Sequence, residues 1–245
     1  MGGVTIPSES ECASAVGHQT YVASHVGLVR EHNEDACAVS SVAERVTDWS
    51  GAISSQEGWA LICDGLGGHV AGEIASALAI EVMRPLMGSI KRDSDIQDAV
   101  NTADQALFLA MEMRPELRGL ATTIAGVILR PNSAVSFNCG DTRTYALENG
   151  ILRQLSVDDI SKRGQLLQCL GGFQEPVPLL VHTCRVEPEA TLVICSDGLS
   201  NVLADEQITA ILANRPSDPA RALVNAALEN GGVDNVSVIV IEPAT

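Results

Sequence analysis

The chain has 245 residues, 46% of them apolar, enough for one substantial core. Its 31 acidic residues against 15 basic ones give a formal charge of −16, which excludes a nucleic-acid backbone or an anionic membrane surface as partner. Three Phe, two Trp and two Tyr are too few for an aromatic core, so Ala, Val, Ile and Leu must fill it in layers.

Residues 1–18 are small, polar and aperiodic and are expected to form a flexible leader, followed by a single domain over 19–245. That leader has no cationic start and no apolar run of signal-peptide length, and no stretch of the chain is apolar for long enough to span a bilayer. Short β-like runs follow at 21–25, 36–40 and 59–63. A helix opens near Gly72, with Ala75, Leu78, Ala79, Val82 and Leu86 on one face. A second runs from Asp95 to about Met113 and stops before Pro115. The two helices should cover one sheet.

From Leu120 to Leu155 the pattern is strand-rich, with turn signals at Pro131-Asn132, Gly140-Asp141 and Asn149-Gly150, and it reads as an antiparallel meander. Strand-like runs at 179–187 and 191–196, helices at 205–213 and 218–229, and a last strand over 236–241 complete the order. This is an α+β arrangement, best satisfied by two stacked antiparallel sheets with helices outside, a four-layer α-β-β-α sandwich. The seven cysteines are odd in number and sit mostly in apolar runs, with no CxxC pair; they read as reduced core thiols of a cytoplasmic protein.

The chemistry lies in acids at strand ends. Asp64, Asp141 and Asp197 each close an apolar run, while Glu34-Asp35 and Asp234-Asn235 each precede one. Asp-Gly is also an ordinary turn signal, so each acid singly has a second reading. Together they form a hard-oxygen set suited to Mg²⁺ or Mn²⁺, because carboxylates cluster when a cation offsets their repulsion. No GxxxxGK[ST], GxSxG or HExxH occurs, and no cysteine has arginine six positions on. The histidines lack helical ligand spacing; His69, beside the Asp64 motif, is the one to watch.

Six segments then carry a resemblance. They are Gly27 to Asp35, Cys63 to His69 with Ala71-Gly72-Glu73, Thr122-Thr123, Gly140 to Arg143, Ser196 to Leu199, and Gly232 to Ser237. In this order and spacing the chain resembles the metal-dependent serine/threonine protein phosphatases of type 2C, in a bacterial form. The resemblance implies a β-sandwich flanked by helices and two Mn²⁺ or Mg²⁺ ions. It implies Asp64 bridging the ions, the Gly65 carbonyl and Glu34 on one, and Asp197 and Asp234 on the other. Asp141 matches the ligand of an optional third ion, or else closes the turn before Thr142. Arg30 matches the phosphate-binding arginine; the alternative for it is a surface ion pair with Glu31 or Glu34. The implied substrates are phosphoserine and phosphothreonine proteins, the targets of a cognate kinase.

Three departures from the family pattern stand out. His25 replaces an aspartate, Ala121 replaces a glycine, and only residues 160–169 remain where a longer flap is usual. A short flap should leave the centre more open. A nuclease would fit two-ion chemistry but not the charge, and a partner-binding pseudophosphatase should have lost ion ligands.

Overall fold

The structure, a computed structural model, describes residues 17–66, 70–172, 175–187 and 189–243. Strands β1 (Gly17–His25), β2 (Asp35–Val39), β3 (Asp48–Ser54) and β4 (Trp59–Leu66) precede helices α1 (Val70–Met87) and α2 (Asp93–Met113). Then come β5 (Ala121–Thr122), β6 (Ile124–Arg130), β7 (Ser133–Cys139), β8 (Arg143–Glu148), β9 (Ile151–Gln154), β10 (Leu170–Gly171), β11 (His182–Val186) and β12 (Thr191–Cys195). A one-turn helix α3 (Asp197–Ser200), helices α4 (Asp205–Ala213) and α5 (Pro219–Glu229), and β13 (Val236–Ile241) finish the chain.

One sheet has the order β3-β1-β13-β12-β8-β9; the other runs β10-β5-β4-β6-β7-β11, with β2 also paired to β4. All pairings within named strands are antiparallel. Alternation along each central strand assigns its two faces to different cores. In β4, Trp59, Leu61 and Cys63 pack under α1 and α2 with Ile80, Met83, Ile96 and Leu107. Ala60 and Ile62 instead face the second sheet, meeting Ile194 and Ile239 across the sandwich. On the far side Val193, Val236, Val238 and Val240 pack under α4 and α5 against Ile208, Leu212, Leu223 and Val224. Burial on both faces explains why these strands read as unbroken apolar runs. Each fully buried Ile or Leu contributes about 1.5–3 kcal/mol.

Several boundaries differ from expectation for local reasons. β1 begins at Gly17, two residues inside the predicted leader, where His18 Nδ1 bonds Glu242 O at 2.9 Å; residues 1–16 lie outside the described residues. α2 starts at Asp93 because Asp95 turns its carboxylate back onto the Lys91 and Arg92 N–H groups. α5 is capped by Asp218, which accepts the Arg221 N–H at 2.8 Å. The edge strand β3 and the two-residue β10 carry too little apolar pattern to be read in advance.

The predicted meander is corrected. β6 pairs with β7 and β8 with β9, but β7 and β8 belong to different sheets. The chain crosses between them at Gly140-Asp141-Thr142, where Gly140 takes a φ of +110°. A turn signal looks the same whether the next strand pairs with the last one or leaves for the opposite layer.

Candidate metal centre

Antiparallel pairing explains why acids that end some strands and begin others converge. Neighbouring strands run oppositely, so the end of β4 lies beside the start of β2, and Asp35 pairs directly with Asp64. In the other sheet Ser196, just beyond β12, donates its N–H to Ser237 O of β13 at 3.0 Å, bringing Asp197 near Asp234. The sheets are joined at this end by the Ser196 hydroxyl, which donates to Asp35 Oδ2 at 2.8 Å. Asp141 arrives at the same place through the β7–β8 crossover.

Main-chain packing holds the centre of this cluster. β4 continues past Asp64 because Gly65 and Leu66 pair with β5. Thr122 Oγ1 and Thr123 N–H both donate to Asp64 O, at 2.8 and 2.9 Å, and Thr123 Oγ1 accepts the Asp64 N–H at 3.2 Å. Gly65 lies so close to the Gly72 carbonyl of α1 that no side chain fits there, and Gly198 is equally close to Asn235 O. Asn235 is a buried staple: its Nδ2 donates to Val26 O and His32 O, and its Oδ1 accepts the Glu34 N–H at 2.8 Å. The Glu34 carboxylate lies against Gly72, where a Cβ would stand 2.6 Å from Oε2.

The carboxylates share one electrostatic environment. Burial pushes Asp35 up to about 7; the Ser237 and Ser196 hydroxyls offset part of this, while the Asp197 and Asp234 charges add to it. Asp64 is held well above the usual carboxylate range by burial, then by the charges of Asp35, Asp197, Asp141 and Asp234. Asp197 is pushed up to about 6 by burial, Asp141 and Asp234, partly offset by a hydrogen bond with Asp64 and by Arg30. Burial also raises Asp141. Asp35 Oδ1, fully enclosed, has no hydrogen-bond partner of ordinary geometry.

Among the described residues no three acidic, imidazole or thiol side chains are arranged so that together they could hold a metal ion. The carboxylates' mutual field is what relates them: Asp64, raised first by burial, is raised further by the charges of Asp35, Asp197, Asp141 and Asp234, a repulsion that a hard divalent cation would offset. Carboxylate oxygens are the donor type that Mn²⁺ and Mg²⁺ take.

Arg30 sits at the rim, half exposed, and its Nη2 donates to Asp234 Oδ2 at 2.8 Å. Its ion-pair partner is thus an acid of the cluster, and not the Glu31 or Glu34 of the alternative reading. Glu34, Asp64, Gly65, Asp141, Asp197 and Asp234 all lie at this end of the sandwich. His69 falls outside the described residues. Asp35 is among the strand-end acids but is not in the ligand set that the resemblance implies, although it stands beside Glu34 and opens a wholly buried strand.

Residues 31–230 match the protein phosphatase 2C family. The chain belongs to that family. A serine/threonine phosphatase, stp, of Listeria innocua is 27% identical over 244 residues, which cover 88% of this chain and 92% of the relative. The serine/threonine protein phosphatase PstP of Mycobacterium tuberculosis is 30% identical over 88% of this chain, the match spanning 43% of that longer protein. The crystal structure of the PstP catalytic domain in complex with two manganese ions superposes with a TM-score of 0.74 and 29% identity, covering 92% of this chain and 98% of that one. This 2C-type chain is a metal-dependent serine/threonine protein phosphatase, with the two-sheet fold of its relatives. No helix among its described residues is long and apolar enough to cross a membrane.

Proposed function

We propose that the acid cluster holds two Mn²⁺ or Mg²⁺ ions and that the chain hydrolyses phosphoserine and phosphothreonine on proteins, opposing a serine/threonine kinase. The carrying observation is the convergence of mutually repelling carboxylates at one end of the sandwich, from the buried Asp35 to the partly exposed Asp234: Asp35 pairs with Asp64, and Asp64 feels Asp35, Asp197, Asp141 and Asp234 at once. Asp64 would lie between the ions, with the Gly65 carbonyl and Glu34 on one and Asp197 and Asp234 on the other. Asp141 would serve an optional third. Bound there, paired divalent cations activate a water for attack on phosphorus and neutralise the phosphate.

The chain's own residues do the rest. Arg30 remains protonated at all working pH values and presents a planar fork at the rim; one Nη2 bond holds it to Asp234, leaving further N–H donors for phosphate oxygens. The Ser196 hydroxyl donates to Asp35 Oδ2 beneath the site and accepts the Ser237 N–H, while the Ser237 hydroxyl bonds that of Ser24. Thr122 and Thr123 orient the Asp64 main chain. A cytoplasmic location is part of the proposal and rests on the free thiols of Cys37, Cys63, Cys139, Cys169 and Cys195, all buried and unpaired. The pseudophosphatase alternative requires a missing acid, and Asp64, Asp197 and Asp234 are all in place.

The test is phosphate release from a phosphothreonine peptide with Mn²⁺ or Mg²⁺, comparing the native chain with Asp197→Asn. Metal-dependent turnover that collapses in the variant is expected. Equal rates in both, or no metal-dependent turnover in the native chain, would refute the reading.

A further inference from the structure

Asp159 lies where the chain leaves β9 and enters the short flap. Its side chain is only 10% exposed. Oδ2 accepts the Gly140 N–H at 2.9 Å, and Oδ1 accepts from Gln168 Nε2 at 2.9 Å and His182 Nε2 at 2.9 Å. The main chain joins in: Asp159 N–H donates to Gly140 O at 3.1 Å, and Leu167 N–H donates to Asp159 O at 2.7 Å. One carboxylate thus gathers three segments far apart in sequence, namely the β7–β8 crossover at Gly140, the far end of the flap at Gln168, and β11 at His182.

Each partner is itself tied down. Gln168 Oε1 accepts the Leu180 N–H at 2.8 Å. His182 pairs across the sheet with Asn138, whose Nδ2 donates to Gly140 O at 3.2 Å and Val157 O at 2.8 Å. Gly140 precedes Asp141 and packs on Thr123, where a Cβ would stand 2.6 Å from Cγ2. Thr123 in turn holds the Asp64 main chain. A shift at Gly140 therefore reaches Asp141 along the chain and Asp64 through Thr123.

A carboxylate has about four lone-pair sites, and three of those on Asp159 are filled by protein donors. Little capacity is left for a cation. We propose that Asp159 is a positioning residue that latches the flap and β11 to the Gly140–Asp141 crossover, so holding Asp141 and Asp64 in the arrangement that binds the ions. This rests on the two-ion reading above. The latch links flap position to metal affinity. Just past Gln168 the same end of the flap is clamped a second time, by Asp104 Oδ1 accepting the Gly171 N–H at 2.7 Å.

The experiment measures Mn²⁺ binding by calorimetry in the native chain, Asp159→Ala, Asp159→Asn, His182→Ala, Gln168→Ala and the Asp159→Ala/His182→Ala double variant. Thermal melts and p-nitrophenyl phosphate kinetics at saturating Mn²⁺ accompany it. Loss of the latch should weaken Mn²⁺ binding about tenfold in Asp159→Ala, as for other groups that support metal ligands. His182→Ala and Gln168→Ala should weaken it in the same direction by less, with KM at saturating metal unchanged. The double variant should bind no more weakly than Asp159→Ala, and Asp159→Asn, which keeps an acceptor for Gly140, should recover part of the loss.

Unaltered binding in His182→Ala and Gln168→Ala, with a whole ion lost in Asp159→Ala, would make Asp159 a ligand and overturn the latch. Lower melting temperatures with unchanged Mn²⁺ affinity in every variant would reduce Asp159 to a structural role and overturn it as well. Should Asp159→Ala fail to fold, His182→Ala and Gln168→Ala decide the matter. A native chain that binds no Mn²⁺ would refute the two-ion reading itself, before any variant is compared.

Discussion

Asp64, Asp197 and Asp234 are set in place by main-chain packing, whereas Arg30 and Asp141 depend on side chains and a crossover turn. The first group sits on strand ends whose neighbours approach too closely for a Cβ, at Gly65 against Gly72 and at Gly198 against Asn235. At the rim Arg30 is half exposed and bonded to a single carboxylate, and Asp141 follows a turn stapled by Asp159. A closely packed inner wall and a more exposed rim suit a site where charge must be held in place while phosphorylated substrates vary.

The sharpest way to test that contrast is Asp64→Asn. Removing charge from the acid that feels all the others should cost more than about 100-fold in kcat/KM on a phosphothreonine peptide, with the fold retained. Activity within threefold of the native chain would refute a central role for Asp64.

Next comes the wall itself. Gly198→Ala forces a methyl group onto the Asn235 carbonyl and should destabilise by about 1–3 kcal/mol, lowering Tm by several degrees. Gly88→Ala, where nothing lies within 4 Å, is the matching control and should leave Tm unchanged. Equal melting temperatures for the two variants would remove the argument from close approach.

Arg30→Ala should act on the rim alone, raising KM for the peptide about tenfold while kcat changes less. An unaltered KM would separate Arg30 from phosphate binding.

The smallest effect concerns pH. Asp35 at about 7 and Asp197 at about 6 are both raised above the ordinary carboxylate value of about 4. In the metal-free protein the folded state therefore holds these protons more tightly than the unfolded chain. Their contribution to stability is fullest below pH 4 and is lost as pH rises through 6 to 7. Cations reverse the penalty, so the Mn²⁺-induced rise in Tm should be larger at pH 7.5 than at pH 5.5. A larger rise at the lower pH would contradict the buried-carboxylate account.

Much of this was legible along the chain. The helices at 205–213 and 218–229 and the strand at 236–241 could be placed within a residue, because their apolar periods are uninterrupted and Asp218-Pro219 marks a helix start. The acids at strand ends were visible as residue types in position. The β7–β8 crossover was not, since alternation is identical in either sheet, and Asp159 gave no sign of its partners because Gly140, Gln168 and His182 are 9 to 23 residues away.

By itself, then, the sequence determined the element types, the layered aliphatic core and the inventory of carboxylates, since these depend on local periodicity and side-chain chemistry. Only the tertiary structure decided which acids share a field, that Asp35 is one of them, that Arg30 faces Asp234, and that the flap is held by Asp159. Those outcomes depend on which strand ends antiparallel pairing and sheet stacking bring together, and that information is spread across the whole chain.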